Sequence, residues 1–136
     1  MEVSEAILSD VDAAAALWER CGLVRPMSDP GEDFRRCVGS PDATVFVGRS
    51  DGLLVATVMV GFDGHRAWVY FLAIEPTLRR QGLARIMMRA AEEWARGRGA
   101  PRLNLMVRES NAAAVSLYEE LGMERQPVLV IGKALS

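Results

Sequence analysis

Between Arg79 and Arg85 the chain reads RRQGLAR. Three guanidinium groups surround a glycine and an alanine, just where an apolar periodicity begins. Leu83, Ile86, Met87, Ala90, Ala91 and Trp94 recur at helical spacing, so the stretch opens a helix. The first turn of a helix has N–H groups without intrahelical acceptors, and with the helix dipole they favour an anion. Gly82 has no side chain to keep a phosphate oxygen off the backbone. Ala84 leaves a second approach nearly as clear, while Arg79, Arg80 and Arg85 add charge. A solvated helix end explains the same residues without a ligand, so the stretch alone leaves both readings open. Neither G-x-x-x-x-G-K-[ST] nor an early G-x-G-x-x-G occurs, which argues against the familiar nucleotide loops. Further on, Tyr118 sits on another helical pattern. A phenol with a reference pKa of about 10 can act as a general acid, although a tyrosine at the edge of a core is the plainer reading of such a helix.

The bulk of the sequence limits what these residues can serve. At 136 residues and 50% hydrophobic content, the chain is expected to form one domain, residues 1–136, with a real core. A net charge of −2 gives no support for nucleic-acid binding, so any anion site must be local. Lys133 is the only lysine, and the preference for arginine everywhere weakens the arginines of RRQGLAR as evidence for phosphate. Cys21 and Cys37 do not make a disulfide framework and are read as reduced. His65 is the only histidine, which argues against a zinc site or a Ser-His-Asp triad. The acidic N-terminus has no signal-peptide n-region, and no apolar run approaches the ~20 residues of a membrane helix, so a cytoplasmic protein without membrane contact is expected.

The elements that would position these groups follow from periodicity and breakers. Residues 2–8 read as an edge strand, and Ser9 as the N-cap of a helix stopped at Gly22. A turn-rich connection, 23–33, leads to a short helix at 31–39. Strands at 43–49, 53–62 and 67–74 are joined by Asp51-Gly52 and by the turn 63–65. After Pro76 come a helix at 81–96, a strand at 102–107, a helix at 111–121 and a closing strand at 127–135. Two hairpins make an antiparallel half, and strand 67–74, helix 81–96 and strand 102–107 make a right-handed parallel crossover. The expected fold is α/β, with a mixed sheet and helices on both faces.

Arg79-Arg80-Gln81-Gly82-Leu83-Ala84 resembles the R/Q-x-x-G-x-G/A motif of the GNAT superfamily of acyl-CoA-dependent N-acetyltransferases. It follows YFLAIEP at a helix start, the matching place. VRESNAAAVSLYEELGME (107–124) resembles that family's N-x6-Y segment and L-G-[FM] turn, and the order of elements agrees along the chain. LWERCGLVRPMSDP (17–30) and GFDGHR (61–66) are similar to the YpeA-type bacterial acetyltransferase subgroup. The resemblance implies acetyl-CoA as cofactor, its pyrophosphate held by backbone N–H groups of residues 80–85. It implies that the pantetheine arm pairs with Leu72, Ala73 and Ile74 where strands 67–74 and 102–107 splay apart, with Asn111 beside that arm and Tyr118 facing the sulfur as general acid. Direct attack by a primary amine, on a small molecule or a peptide, needs a donor for the developing oxyanion, and an N–H of residues 72–74 would supply it.

The family pattern breaks at the general base. Trp68 and Met106 stand where some members carry glutamate. Tyr70 and Asn104 are then candidates to hold a water that relays the proton. Asp63 and His65 are weaker candidates on the substrate side, since a turn explains both, and Glu75 reads as a solvated acid. In the connection 22–30, Arg25 and Asp29 are candidate substrate contacts, and Trp18 a possible wall, against the plainer reading of Trp18 as core. The competing function is a non-catalytic acyl-CoA-binding module, which the missing glutamates favour and Tyr118 opposes. A homodimer is possible, its interface open.

Overall fold

The computed structural model describes residues 1–136 as two compact units, Met1–Met106 and Val107–Ser136. The first holds a five-stranded sheet in the order β1 (Glu2–Glu5), β2 (Ala43–Ser50), β3 (Leu53–Phe62), β4 (Ala67–Ile74), β5 (Leu103–Leu105). The first four strands pair antiparallel with their neighbours, and β4 pairs with β5 in parallel.

Two helices, α1 (Val11–Arg20) and α2 (Pro30–Val38), share a core with Val45, Val47, Met59 and Ala73 through Leu17, Trp18, Phe34 and Cys37. Helix α3 (Leu83–Gly97) packs on β2, β3 and β4. Phe46 shares a surface cleft with Ile86, Ala90 and Trp94 of α3. Since Phe46 alternates with Val45 and Val47 along β2, α3 lies on the face opposite α1 and α2. No helix is long and apolar enough to cross a membrane.

Helix starts differ from the expected ones for local reasons. Ser9 does not cap α1. Residues Leu8–Asp10 form a 3-10 turn instead, and the carboxylate of Asp10 accepts the Ile7 N–H at 3.0 Å and an Arg49 N–H at 2.6 Å. That pair ties the α1 entry to β2. Gly22, at φ +70°, does end α1, with the Leu23 N–H bonded to the Trp18 carbonyl and the Gly22 N–H to Glu19. Strand β1 stops at Glu5 rather than 8, and β5 has three residues rather than six. A further 3-10 turn, Pro76–Leu78, separates β4 from the arginine stretch, so α3 begins at Leu83 and residues 79–82 form a loop before it.

The second unit holds α4 (Ala112–Glu120), capped by Asn111, whose Oδ1 accepts the Ala114 N–H at 3.1 Å. It ends with Met123 bonded to the Tyr118 carbonyl and Gly122 to Glu119, the paired bonds of a Schellman turn. The strand expected at 127–135 is not formed. Val128, Leu129, Val130 and Ile131 are exposed, and no strand pairs with them. Apolar β-branched residues favour a strand only when a partner edge supplies the ladder.

Candidate functional site

The site is built around an irregularity in β4. Strict alternation would turn Tyr70 and Leu72 to the same face. The register instead jumps between Thr57↔Ala73 and Met59↔Tyr70, so Phe71 and Leu72 together stand against Val58. Phe71 has φ +49°, a left-handed conformation costing about 1–2 kcal/mol in a residue with a side chain. The bulge shifts the phase of the strand. Phe71 then faces the α1–α2 side alongside Tyr70 and Ala73.

A buried relay holds that conformation. Thr57 donates through Oγ1 to the Phe71 carbonyl at 2.8 Å, and Trp18 donates through Nε1 to Thr57 Oγ1 at 2.8 Å. The Trp18 ring stacks on Phe71 at 3.9 Å with 13° between planes, worth about 0.5–1.5 kcal/mol beyond burial. Trp18 and Thr57 have no exposed surface. Trp18 takes the plainer of its two readings, a core residue rather than a wall, and it stands behind Phe71, which lines the cavity.

On this face a cavity of about 540 Å³ opens between α2 and the sheet, lined among others by Asp33, Arg36, Cys37, Met59, Tyr70 and Phe71. Cys37 is 6% exposed, and burial pushes its thiol up to about 11, so it serves as lining rather than as a nucleophile.

The edge of β4 opens at the same place. The β5 ladder covers Ala67, Trp68 and Val69 and ends there. From Tyr70 to Ile74, which includes Leu72, Ala73 and Ile74, β5 does not pair with β4. An extended amide chain can add to such an edge. Cys21 Sγ lies 3.3 Å from the Ile74 carbonyl, a weak S–H donor in place of a strand.

Beyond β4, Arg80 at φ +65° and Gly82 at φ +77° bend the loop into α3. No side chain caps this helix, and no protein carbonyl accepts from the N–H groups of Gly82, Leu83 or Ala84. A Cβ built on Gly82 meets nothing within 4 Å. The backbone therefore stays open to a large anion, and the first turn carries no acid to repel it. Arg79, Arg80, Gln81 and Arg85 are exposed around it. These features fit a pyrophosphate, and the open edge of β4 fits a pantetheine amide chain.

Other sequence candidates are placed elsewhere. Asp29 caps α2, accepting the Glu32 N–H at 3.1 Å. Arg25 is exposed in the connection before α2 and does not line the cavity. Asp63 accepts the N–H groups of Arg66 and His65, which hold its carboxyl below the usual range, so the turn accounts for Asp63 and His65. Asn104 pairs with Trp68 across β4–β5, and its Oδ1 accepts from Arg102 Nε at 3.1 Å. Glu75 is not simply solvated, since Arg20 bonds it at 2.6 Å. In the second unit Tyr118 is half-buried, and that burial pushes its phenol above the ordinary value. Sequence reasoning missed Thr57, Phe71 and Asp33. Nothing in their types announces them, because a left-handed phenylalanine has no sequence signature.

The model of the acetyltransferase (GNAT) family matches residues 11–123. An acetyltransferase of Yersinia enterocolitica is 38% identical over 135 residues, covering 99% of this chain and 96% of its own. Two solved structures share the fold. An aminoglycoside 6'-N-acetyltransferase from Acinetobacter haemolyticus has a TM-score of 0.80 at 15% identity, covering all of both chains. The aminoglycoside N-acetyltransferase AAC(6')-Iy in complex with CoA has a TM-score of 0.85 at 12% identity, covering 99% of this chain and 95% of its own. The motif at the start of α3, the broken β4–β5 pairing and these matches agree: the chain belongs to the acetyltransferase (GNAT) family.

Proposed function

We propose that residues 1–136 act as one N-acetyltransferase domain that moves an acetyl group from acetyl-CoA to a primary amine. The observation that carries this reading is the pairing of an unladdered β4 edge with an uncapped, glycine-opened helix start one turn further on. The N–H groups of Gly82, Leu83 and Ala84 would hold the pyrophosphate, with Arg79, Arg80 and Arg85 around it. Leu72, Ala73 and Ile74 would pair with the amide arm, the Ile74 carbonyl exchanging the weak Cys21 S–H for an amide N–H. Acetyl-CoA supplies an acyl group as a thioester, whose carbon bonds the amine nitrogen as its bond to sulfur breaks.

The chain's residues supply position and protons. An N–H among residues 72–74 donates to the carbonyl oxygen as charge develops there. Tyr118 gives its phenolic proton to the departing sulfur and recovers one, through solvent, from the amine nitrogen. A phenol raised by burial stays protonated at neutral pH, as a general acid must. Asn111 spends its carbonyl on capping α4, which leaves its side-chain NH2 to donate to the cofactor.

The test is thiol release from acetyl-CoA across a panel of amines, with CoA affinity measured separately. Tyr118→Phe is expected to lower kcat about 10²–10⁴-fold, the usual worth of a general acid, with CoA affinity unchanged. Full activity in that variant removes Tyr118 from the mechanism. CoA binding without turnover on any amine replaces the enzyme with a binding module.

A further inference from the structure

Resting on that reading, we propose that the acceptor is a small amine with one positive charge on an apolar body, and that Asp33 receives its ammonium group, which gives one proton to water before the neutral nitrogen attacks the thioester. The cavity between α2 and the β4 bulge is the place for it. Its volume, about 540 Å³, falls in the range of small-molecule sites. Phe71 and Tyr70 form its aromatic side, where β4 is irregular and free of β5. Ala43 and Gly61, paired across β2 and β3, leave room on its floor.

The charge of the cavity is what selects the ligand. Its ionic side chains are Asp33 and Arg36. Arg36 is already engaged, with its Nε 3.1 Å from Glu32. Asp33 has neither an ion pair nor a side-chain hydrogen bond, although it is half-buried. Its place in the first turn of α2 suits a negative charge. The cavity therefore offers a ligand one unpaired carboxylate beside a lining that is mainly apolar and aromatic. A single ammonium is matched. A polycation would bring further ammonium groups against Cys37, Met59 and Phe71, with no acid to meet them. The inference thus separates this chain from proteins of its fold whose acceptors are aminoglycosides.

Thiol release from acetyl-CoA should be compared for phenethylamine, tryptamine and isoamylamine against spermidine and kanamycin. The monoamines are expected to show at least tenfold higher kcat/KM. Asp33→Asn should raise KM for phenethylamine at least tenfold while leaving the affinity for CoA unchanged, and Asp33→Glu should recover part of the loss. Greater kcat/KM for the polycations overturns the proposal, as does an unchanged KM in Asp33→Asn. Turnover of some amines with the wrong preference refutes only the acceptor class. CoA binding without turnover of any amine refutes the enzyme reading and this inference with it.

Discussion

Replacing Thr57 with valine tests the reasoning about the β4 bulge most directly. Valine has nearly the shape of threonine, so packing changes little while the hydroxyl disappears. Two groups then lose their partner together, the buried Trp18 indole N–H and the half-buried Phe71 carbonyl, each now bonded at 2.8 Å. An unsatisfied buried donor or acceptor costs about 1–3 kcal/mol. The sum is roughly 2–6 kcal/mol, a large part of the total of about 5–15 kcal/mol that a domain has. Thr57→Ser keeps the hydroxyl and removes one methyl group, and should cost only about 0.5–1.5 kcal/mol, as other single-methyl deletions in cores do. Urea unfolding followed by far-UV circular dichroism measures both, without relying on tryptophan emission that the substitution itself alters. The bulge has a functional side as well. When Phe71 is no longer held at φ +49° it can return to an extended strand, which turns its ring out of the cavity. Thr57→Val should then lose kcat/KM for amines in conditions where it is still folded, with CoA affinity reduced less. If valine costs under about 0.5 kcal/mol, or no more than serine, the relay does not hold the bulge.

Three other outcomes follow from the same geometry. Gly82→Ala should cost about 1 kcal/mol, from the positive φ alone since its Cβ meets no atom, whereas Gly82→Glu should abolish CoA binding measured by calorimetry. Asp10 is pushed up by burial but brought below its ordinary value by the Ile7 N–H and by Arg49. Its contribution is therefore complete above the unfolded carboxyl pKa and lost as pH falls through the folded one, so Asp10→Ala should destabilise by about 1–3 kcal/mol at pH 7 and by progressively less below pH ~4 in urea titrations. With its pKa near 11, Cys37 is roughly one part in a thousand thiolate at pH 8, so iodoacetamide should label Cys21 first and Cys37 only on unfolding, as read by peptide mass mapping.

Where local chemistry decides the outcome, the sequence is readable. The apolar spacing from Leu83 to Trp94 forms α3, Gly22 ends α1, and Asp51-Gly52 turns β2 into β3. What escapes it depends on partners far along the chain. Ser9 has the right type for a cap, but Asp10 is held by Arg49, thirty-nine residues away, and the chain starts its helix later. Asp29 has the right type for a substrate contact, yet capping α2 satisfies it. The run 127–135 has strand composition, and composition supplies no edge to pair with. The unpaired Asp33 is the opposite case. In sequence it is one acid among Glu32, Asp33, Arg35 and Arg36, and only the pairing of Glu32 with its arginines singles it out.

Phe71 joins these observations. Along a regular β4, Leu72 would face α2 and the ladder to β5 would have no reason to stop near Val69. The bulge puts an aromatic ring into the cavity and falls just past the last β5 pair, so the cavity and the open edge of β4 meet within two residues. The strain of a left-handed phenylalanine is tolerated because Trp18 and Thr57 over-determine it, one by stacking and both by hydrogen bonds. On the proposed reading, Trp18 would affect catalysis without touching either substrate. It fixes where Phe71 points, and Phe71 shapes the cavity beside the open edge of β4.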